Sequence, residues 1–395
     1  MKIKIIHVLL VICYLFTFLF IVLGASNCRN SDYTRTVNFK NYGAKNPKIQ
    51  NFTMILQNGA RPRFSPDGSC IVFDRKNSDG YYDLYIATLK GDIINSLTEK
   101  NIRVNQKNNG NGVYHPSGKY IIFISEENNH LYDSNKSIGD PGVGLFCNLW
   151  AIEISTKKAF KLTDIPITQS LNDKTPVIGS VNPHFTPDGK TLIWTERYDS
   201  GGNHNWGKWR IKSADFILDN DIPSISGEKV LFTPQNGNYV TFLDFAGNEK
   251  LLLSGNLDGQ HEYGMDEYIY ELNSKKLSNL TNTPEVWEED ATVIDNKYII
   301  YMSNIDSEYK LDFNNPNWQK QPIQRDYYIM TPEGNNKEKL TYFNDPAAPE
   351  YLGKDVLVAA SDISPDNKIL AASLGIDFGA VKREIELKIA LINLQ

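Results

Sequence analysis

The chain has 395 residues, with 41% hydrophobic and 22% charged residues, a composition that excludes a disordered or collagenous protein. Its 41 basic and 47 acidic residues give a net charge of −6 with no basic stripe, which argues against a nucleic-acid partner. Four cysteines cannot build a disulfide framework, and 11% aromatics with 27 Gly and 18 Pro favour short strands and turns over helices.

The N-terminus comes first. Lys2 and Lys4 precede an apolar stretch from Ile5 to Ala25, which places everything beyond it across a membrane, in a periplasmic or extracellular space. Three routes fit residues 1–28: a cleaved signal, a retained anchor, or a lipoprotein signal with Cys28 acylated. The context Leu23-Gly24-Ala25-Ser26-Asn27-Cys28 is similar to a lipobox but lacks its usual Leu and its usual small residue before the Cys. Residues 29–48 are polar and without apolar periodicity, and are expected to be a linker.

From residue 49 to 395 the chain repeats itself. Phe64-Ser-Pro-Asp-Gly68, Tyr114-His-Pro-Ser-Gly118 and Phe185-Thr-Pro-Asp-Gly189 each precede an apolar strand, and weaker copies stand at Phe245–Lys250, Val293–Lys297 and Ile363–Lys368. Pro presets φ, Asp caps the turn, and Gly or Asn accepts positive φ, so each is a hairpin signal. Downstream lies a strand opened by a polar residue, at Asp83, Asn148, Lys208, Glu267, Asp326 and Glu386. Leu-Thr then closes four units, at Leu97-Thr98, Leu162-Thr163, Leu280-Thr281 and Leu340-Thr341. Four antiparallel strands repeating at about 40–70 residues predict propeller blades. The fold expected is all-β, a six-bladed β-propeller. The last unit lacks its fourth strand, and Ile49–Leu56 (IQNFTMIL) is expected to supply it and close the ring.

These turns, third strands and Leu-Thr closes resemble the TolB-like β-propeller repeat, a relative of WD-type repeats. The resemblance covers roughly residues 50–395. TolB carries an α/β domain before its propeller where this sequence has only the expected linker, so the resemblance does not by itself imply TolB's partner contacts.

No GxSxG elbow, HExxH, Walker glycine loop or CxxC pair is present. The chain is therefore expected to be a non-catalytic platform for a protein or peptide, with a glycan as a further option and the membrane engaged only through the N-terminus. No cofactor is called for; a divalent metal is the alternative. Strand parity puts every large insertion (126–146, 196–207, 256–266 and 304–325) on the face opposite the Pro-Asp-Gly turns, where binding is expected. That face carries His204 and Trp206 in a glycine-flanked loop, His261 and Glu262 in the next insertion, Arg61 leading into the first blade, and Glu289 and Asp290 leading into the fifth. Exposed Trp suits a peptide or sugar, loop histidines with acids suit a metal, and clustered charge suits an ionic partner. Each also has a plain alternative: a Trp packed on its own loop, a His in a polar loop, a solvated charged rim. His130 is expected on the same rim, and Cys70 and Cys147 are expected to be packed thiols. TolB-like repeats also occur in oligosaccharide lyases holding a metal through His and Gln inside the propeller. His184, His204, Gln260 and His261 are the counterparts that this resemblance would require.

Overall fold

The computed structural model describes residues 36–38 (backbone only), 48–202, 206–315, 317, 321–379 and 384–395. Residues 1–28 with Cys28, and His204 and Trp318, lie outside the described residues.

Five four-stranded antiparallel sheets and one five-stranded sheet make six blades: residues 60–96, 109–161, 179–232, 240–279, 288–339, and 355–394 with Ile49–Leu56. In each of the first five blades the strands follow chain order from the inside out. The sixth is completed by the N-terminal strand, Ile49–Leu56, which pairs with Ile385–Leu394 from Ile49 opposite Leu394 to Leu56 opposite Ile389. A three-residue strand, Thr36–Asn38, adds to its outer edge. Phe52 anchors the closing strand, 1% exposed and edge-on to Phe343 with ring centroids 5.4 Å apart. The expected closure is thus observed.

The recurring motifs have structural reasons. In the turns, Ser65 Oγ donates to Asp67 Oδ1 (2.6 Å), Asp67 accepts from Ser69 N (3.0 Å), and Gly68 takes φ +70°. Thr186, Asp188 and Gly189 repeat this arrangement, as do Ser364, Asp366 and Asn367. The Leu-Thr closes act as latches. Thr98 Oγ1 donates to Asp83 Oδ1 (2.7 Å) and accepts from Leu84 N (2.9 Å), tying the end of the blade to the start of its third strand. Thr163 with Asn148, Thr281 with Asp266, and Thr341 with Asp326 do the same at 2.8–2.9 Å.

Apolar side chains alternate with these polar positions and fill the wedges between blades, with Ile71, Phe73, Ile121, Phe123, Leu192 and Trp194 all inaccessible to solvent. Blades are also stitched by side chains reaching the next inner strand: Asp74 accepts from Asn111 N (2.8 Å), Thr195 from Phe242 N (2.8 Å), and Ser373 from Arg61 N (2.8 Å). Cys70 and Cys147 are free thiols, half-buried and buried. No helix among the described residues is long and apolar enough to cross a membrane.

Candidate functional site

Every inner strand is bulged at the same height: pairing slips between Ala60 and Arg63, Gly110 and Val113, Val181 and His184, Phe242 and Asp244, Glu289 and Thr292, and Val358 and Ser361. A bulge turns its extra residue out of the ladder, here towards the axis. Arg61, Asn111, Asn182, Leu243, Asp290 and Ala359 form a ring of six around a central cavity of about 110 Å³ that opens to solvent. Four of them hold positive φ, at 50°, 53°, 49° and 57° for Arg61, Asn111, Asn182 and Asp290. Asn and Asp tolerate that region. Arg61 does not favour it, and its neighbours hold it there: Ser373 takes its N–H and Asp74 takes its guanidinium Nε at 2.5 Å. The amides run on as a chain, Asn111 Nδ2 to Asn182 Oδ1 (2.8 Å) and Asn182 Nδ2 to Thr241 Oγ1 (2.8 Å).

The insertions contribute Val143, Trp206 and Arg325 to the same cavity, joined by Tyr239 and Trp287 from the lead-ins to blades 4 and 5. Aromatic rings form an arc over the third to fifth blades. Trp206 lies 5.2 Å from both Tyr239 and Tyr263, Tyr263 lies 5.2 Å from Trp287, and the Arg325 guanidinium sits 4.7 Å over Trp287. The Trp206 carbonyl accepts from Arg197 Nε (2.9 Å) and Trp209 Nε1 (2.8 Å), so the glycine-flanked loop is held in place. Gly207 keeps the loop this close, because a Cβ there would come within 2.2 Å of Arg197.

The acids of this mouth are not a solvated rim. Burial pushes Glu289 up to about 8, with Asp290 adding to the rise and the Trp287 Nε1 hydrogen bond (3.1 Å) opposing it. Asp290 is also raised by burial, against the pull of Arg325, Arg61 and Arg63. The mouth thus combines guanidinium donors, two carboxyls whose ionisation burial opposes, primary amides and aromatic faces.

Arg61, Trp206, Glu289 and Asp290 meet in one cavity, as the parity argument requires. His261 and Glu262 stand further out: His261 is exposed, stacked at 5.0 Å on Phe313 and 5.9 Å from Tyr263, and burial lowers its pKa. Trp206 is half-buried and packed between its neighbours, not a free blade of surface. His130 is not on the rim. It is 3% exposed, stacked at 4.1 Å on Phe146, with Nε2 2.8 Å from Glu126 Oε1. His184 lies inside the ring against Phe242, while Gln260 donates to Asp266 (2.9 Å) and Tyr268 (3.0 Å). Among the described residues, no group of three or more His, Cys, Asp or Glu side chains is placed to hold a metal.

The ring of bulges was missed at the level of sequence. Its signal is local: Arg61-Pro62, Asn111-Gly112 and Asn182-Pro183 each stand three residues before the aromatic of a turn.

The motifs behind the resemblance occupy equivalent places in successive blades. The ring is a six-bladed β-propeller. No family model and no curated protein matches the sequence. Solved structures similar to it include TolB from Acinetobacter baumannii, at 15% identity and TM-score 0.48, covering 83% of this chain and 64% of that one. Others are a putative TolB from Agrobacterium tumefaciens (12%, TM-score 0.48, 90% and 99%) and oligogalacturonate lyase from Vibrio parahaemolyticus (10%, TM-score 0.49, 91% and 96%). The six blades rest on the strand pairing itself, and the propeller spans about two thirds of the length of the Acinetobacter protein.

Proposed function

We propose that this is an exported, membrane-associated, non-catalytic propeller that binds a protein or peptide at the channel mouth of its loop-rich face. The observation that carries the reading is the convergence of Arg61, Asp290, Glu289, Arg325, Trp206 and Trp287 on one cavity. Flat aromatic surface beside fixed, partly desolvated charge is the composition of interface hot spots. Arg197 and the inter-blade hydrogen bonds hold the mouth rigid before any partner arrives, which limits the entropy lost on binding. The N-terminal apolar segment supports export and membrane association, with Cys28 as the lipidation candidate. A metal-dependent, lyase-like reaction is less well supported, because Gln260 is committed to Asp266 and Tyr268 and His261 is stacked on Phe313.

The test is capture of partners from membranes by the immobilised full chain, with Trp206→Ala and Lys190→Ala compared. Truncating a central aromatic costs about 2 kcal/mol or more, roughly thirtyfold in affinity. Trp206→Ala should lose the captured species, and Lys190→Ala, on the opposite face, should keep it. Melting curves of both must match the parent to within a few degrees, since Trp206 is packed against Tyr239 and Tyr263. Capture that survives Trp206→Ala and fails with Lys190→Ala would place the working face on the turn side.

A further inference from the structure

The residue after the latch carboxylate or amide is a core position. Its backbone N–H donates to the latch Thr, which defines the equivalence: Leu84 to Thr98, Leu149 to Thr163 and Tyr327 to Thr341. All three side chains are inaccessible to solvent. In blade 4 the same hydrogen bond is made by Glu267 to Thr281 (3.1 Å), and Glu267 is likewise inaccessible. Neither of its carboxylate oxygens has a hydrogen-bond partner. A second buried carboxyl, on blade 5, acts on the charge of the first: Glu288, 2% exposed, whose Oε1 accepts from Ser303 Oγ (3.0 Å) and Oε2 from Thr283 Oγ1 (2.5 Å). Ser254, paired beside Glu267 in its sheet, donates to the Glu288 carbonyl (3.1 Å), so these groups share one wedge.

We infer that Glu267 and Glu288 hold a hard divalent cation of the Ca²⁺ type between blades 4 and 5. Burying a carboxylate with both oxygens unsatisfied is strongly unfavourable. A proton removes the charge but leaves a donor and an acceptor on Glu267 without a partner, and a cation satisfies both oxygens at once. Its donors are all oxygen: two carboxylates and the hydroxyls of Ser303 and Thr283. Such a set selects Ca²⁺ or Mg²⁺ over thiophilic or imidazole-seeking metals, and two carboxylates match a charge of +2. Burial first, then the charges of Glu288, Glu289, Asp290 and Asp266, push Glu267 away from ionisation when no cation is present. Glu267 and Glu288 are not among the residues that line the mouth cavity, although Glu288 lies between Trp287 and Glu289, which do. Its role is to staple two blades through the position where others use Leu or Tyr.

The experiment uses the full chain in detergent, stripped with EDTA and returned to millimolar CaCl₂ or MgCl₂. Bound metal is measured by mass spectrometry and melting by circular dichroism. We expect about one ion per chain and a rise in Tm of about 5 °C with metal at a hundredfold its Kd. Glu267→Gln, which removes the charge and keeps the shape, should lose both the ion and the response. Glu267→Leu, the residue of blades 1 and 2, guards against a misfolded Gln variant: it should fold without metal and also fail to respond. A parent chain that binds neither ion and melts unchanged overturns the inference, as does a metal response that persists in both variants.

Discussion

Phe52→Ala tests whether the ring depends on its N-terminal strand. Phe52 lies at the centre of Ile49–Leu56, opposite Ile392, 1% exposed and 5.4 Å edge-on to Phe343. Truncating a buried Phe loses its transfer free energy and leaves a cavity, about 3–5 kcal/mol in well-packed cores. For a domain of this size that corresponds to a fall in Tm of about 4–7 °C. The site should sit at the upper end of the range, because Leu391 and Ile392 lie in the adjacent strand and cannot close the gap without disturbing its pairing. Melting by circular dichroism, with urea unfolding to obtain the free energy, reads the effect. Ile102→Ala, at a residue 93% exposed, is the control and should stay within about 0.5 kcal/mol of the parent. Deleting 49–56 is the stronger version. It bares the edge of Ile385–Leu394 and should give aggregation along with destabilisation. If Phe52→Ala melts within about 2 °C of the parent, the closing strand does not hold the ring, and stability must lie in the blades individually.

Three further outcomes follow from the same geometry. In EDTA, Tm should fall as pH rises from 7.5 to 8.5: burial raises Asp140 and Glu288 to about 7 and Glu289 to about 8, so the folded chain binds more protons than the unfolded one, whose carboxyls titrate near pH 4, and it loses stability as pH passes through the folded values. Histidines titrate near 6.5 when unfolded, and His115, His184 and His261 are lowered in the fold, so they are largely neutral in both states over this range, and a Tm that rises across it would refute the assignment. Thr98→Val should cost about 1–3 kcal/mol in urea unfolding, because Asp83 loses a donor and the Leu84 N–H loses its acceptor; a change under about 0.5 kcal/mol would mean the latch is decorative. Arg197→Met should free the Trp206 loop, seen as faster quenching of Trp fluorescence by acrylamide, with unchanged quenching as the contrary result.

The repeats were legible because each serves a backbone need that recurs at every blade. A turn needs Gly68, Gly189 or Asn367 at positive φ, and a blade end needs Thr98 or Thr281 to reach the start of the third strand, so the residue types are fixed by local geometry. Closure was legible for a related reason, since an apolar strand without a partner at one end and a missing strand at the other solve each other. What could not be read depends on neighbours distant in sequence. His130 sits in a polar insertion, and only the fold reveals that Phe146 and Glu126 enclose it. Trp206 stands between glycines, which suggests freedom, yet Arg197 from the preceding strand pins its carbonyl.

The long outer hairpin of blade 3 shows the same divide. Lys208–Asp219 and Ile222–Phe232 run 12 and 11 residues, against five to seven for the third strands and two to four for the outer strands of blades 1, 2, 4 and 5. The turn is written in Asn220 and Asp221, both at positive φ, but the length is not, because no periodic signal marks where a strand outruns its blade. Such an edge invites pairing with another chain. Three residues defend it: Pro223 has no N–H to offer, Gly227 at φ +64° breaks the register in a bulge, and Lys229 is exposed just beyond. The outer edge of blade 3 is thus protected against association with another chain by the same residues that set its local geometry.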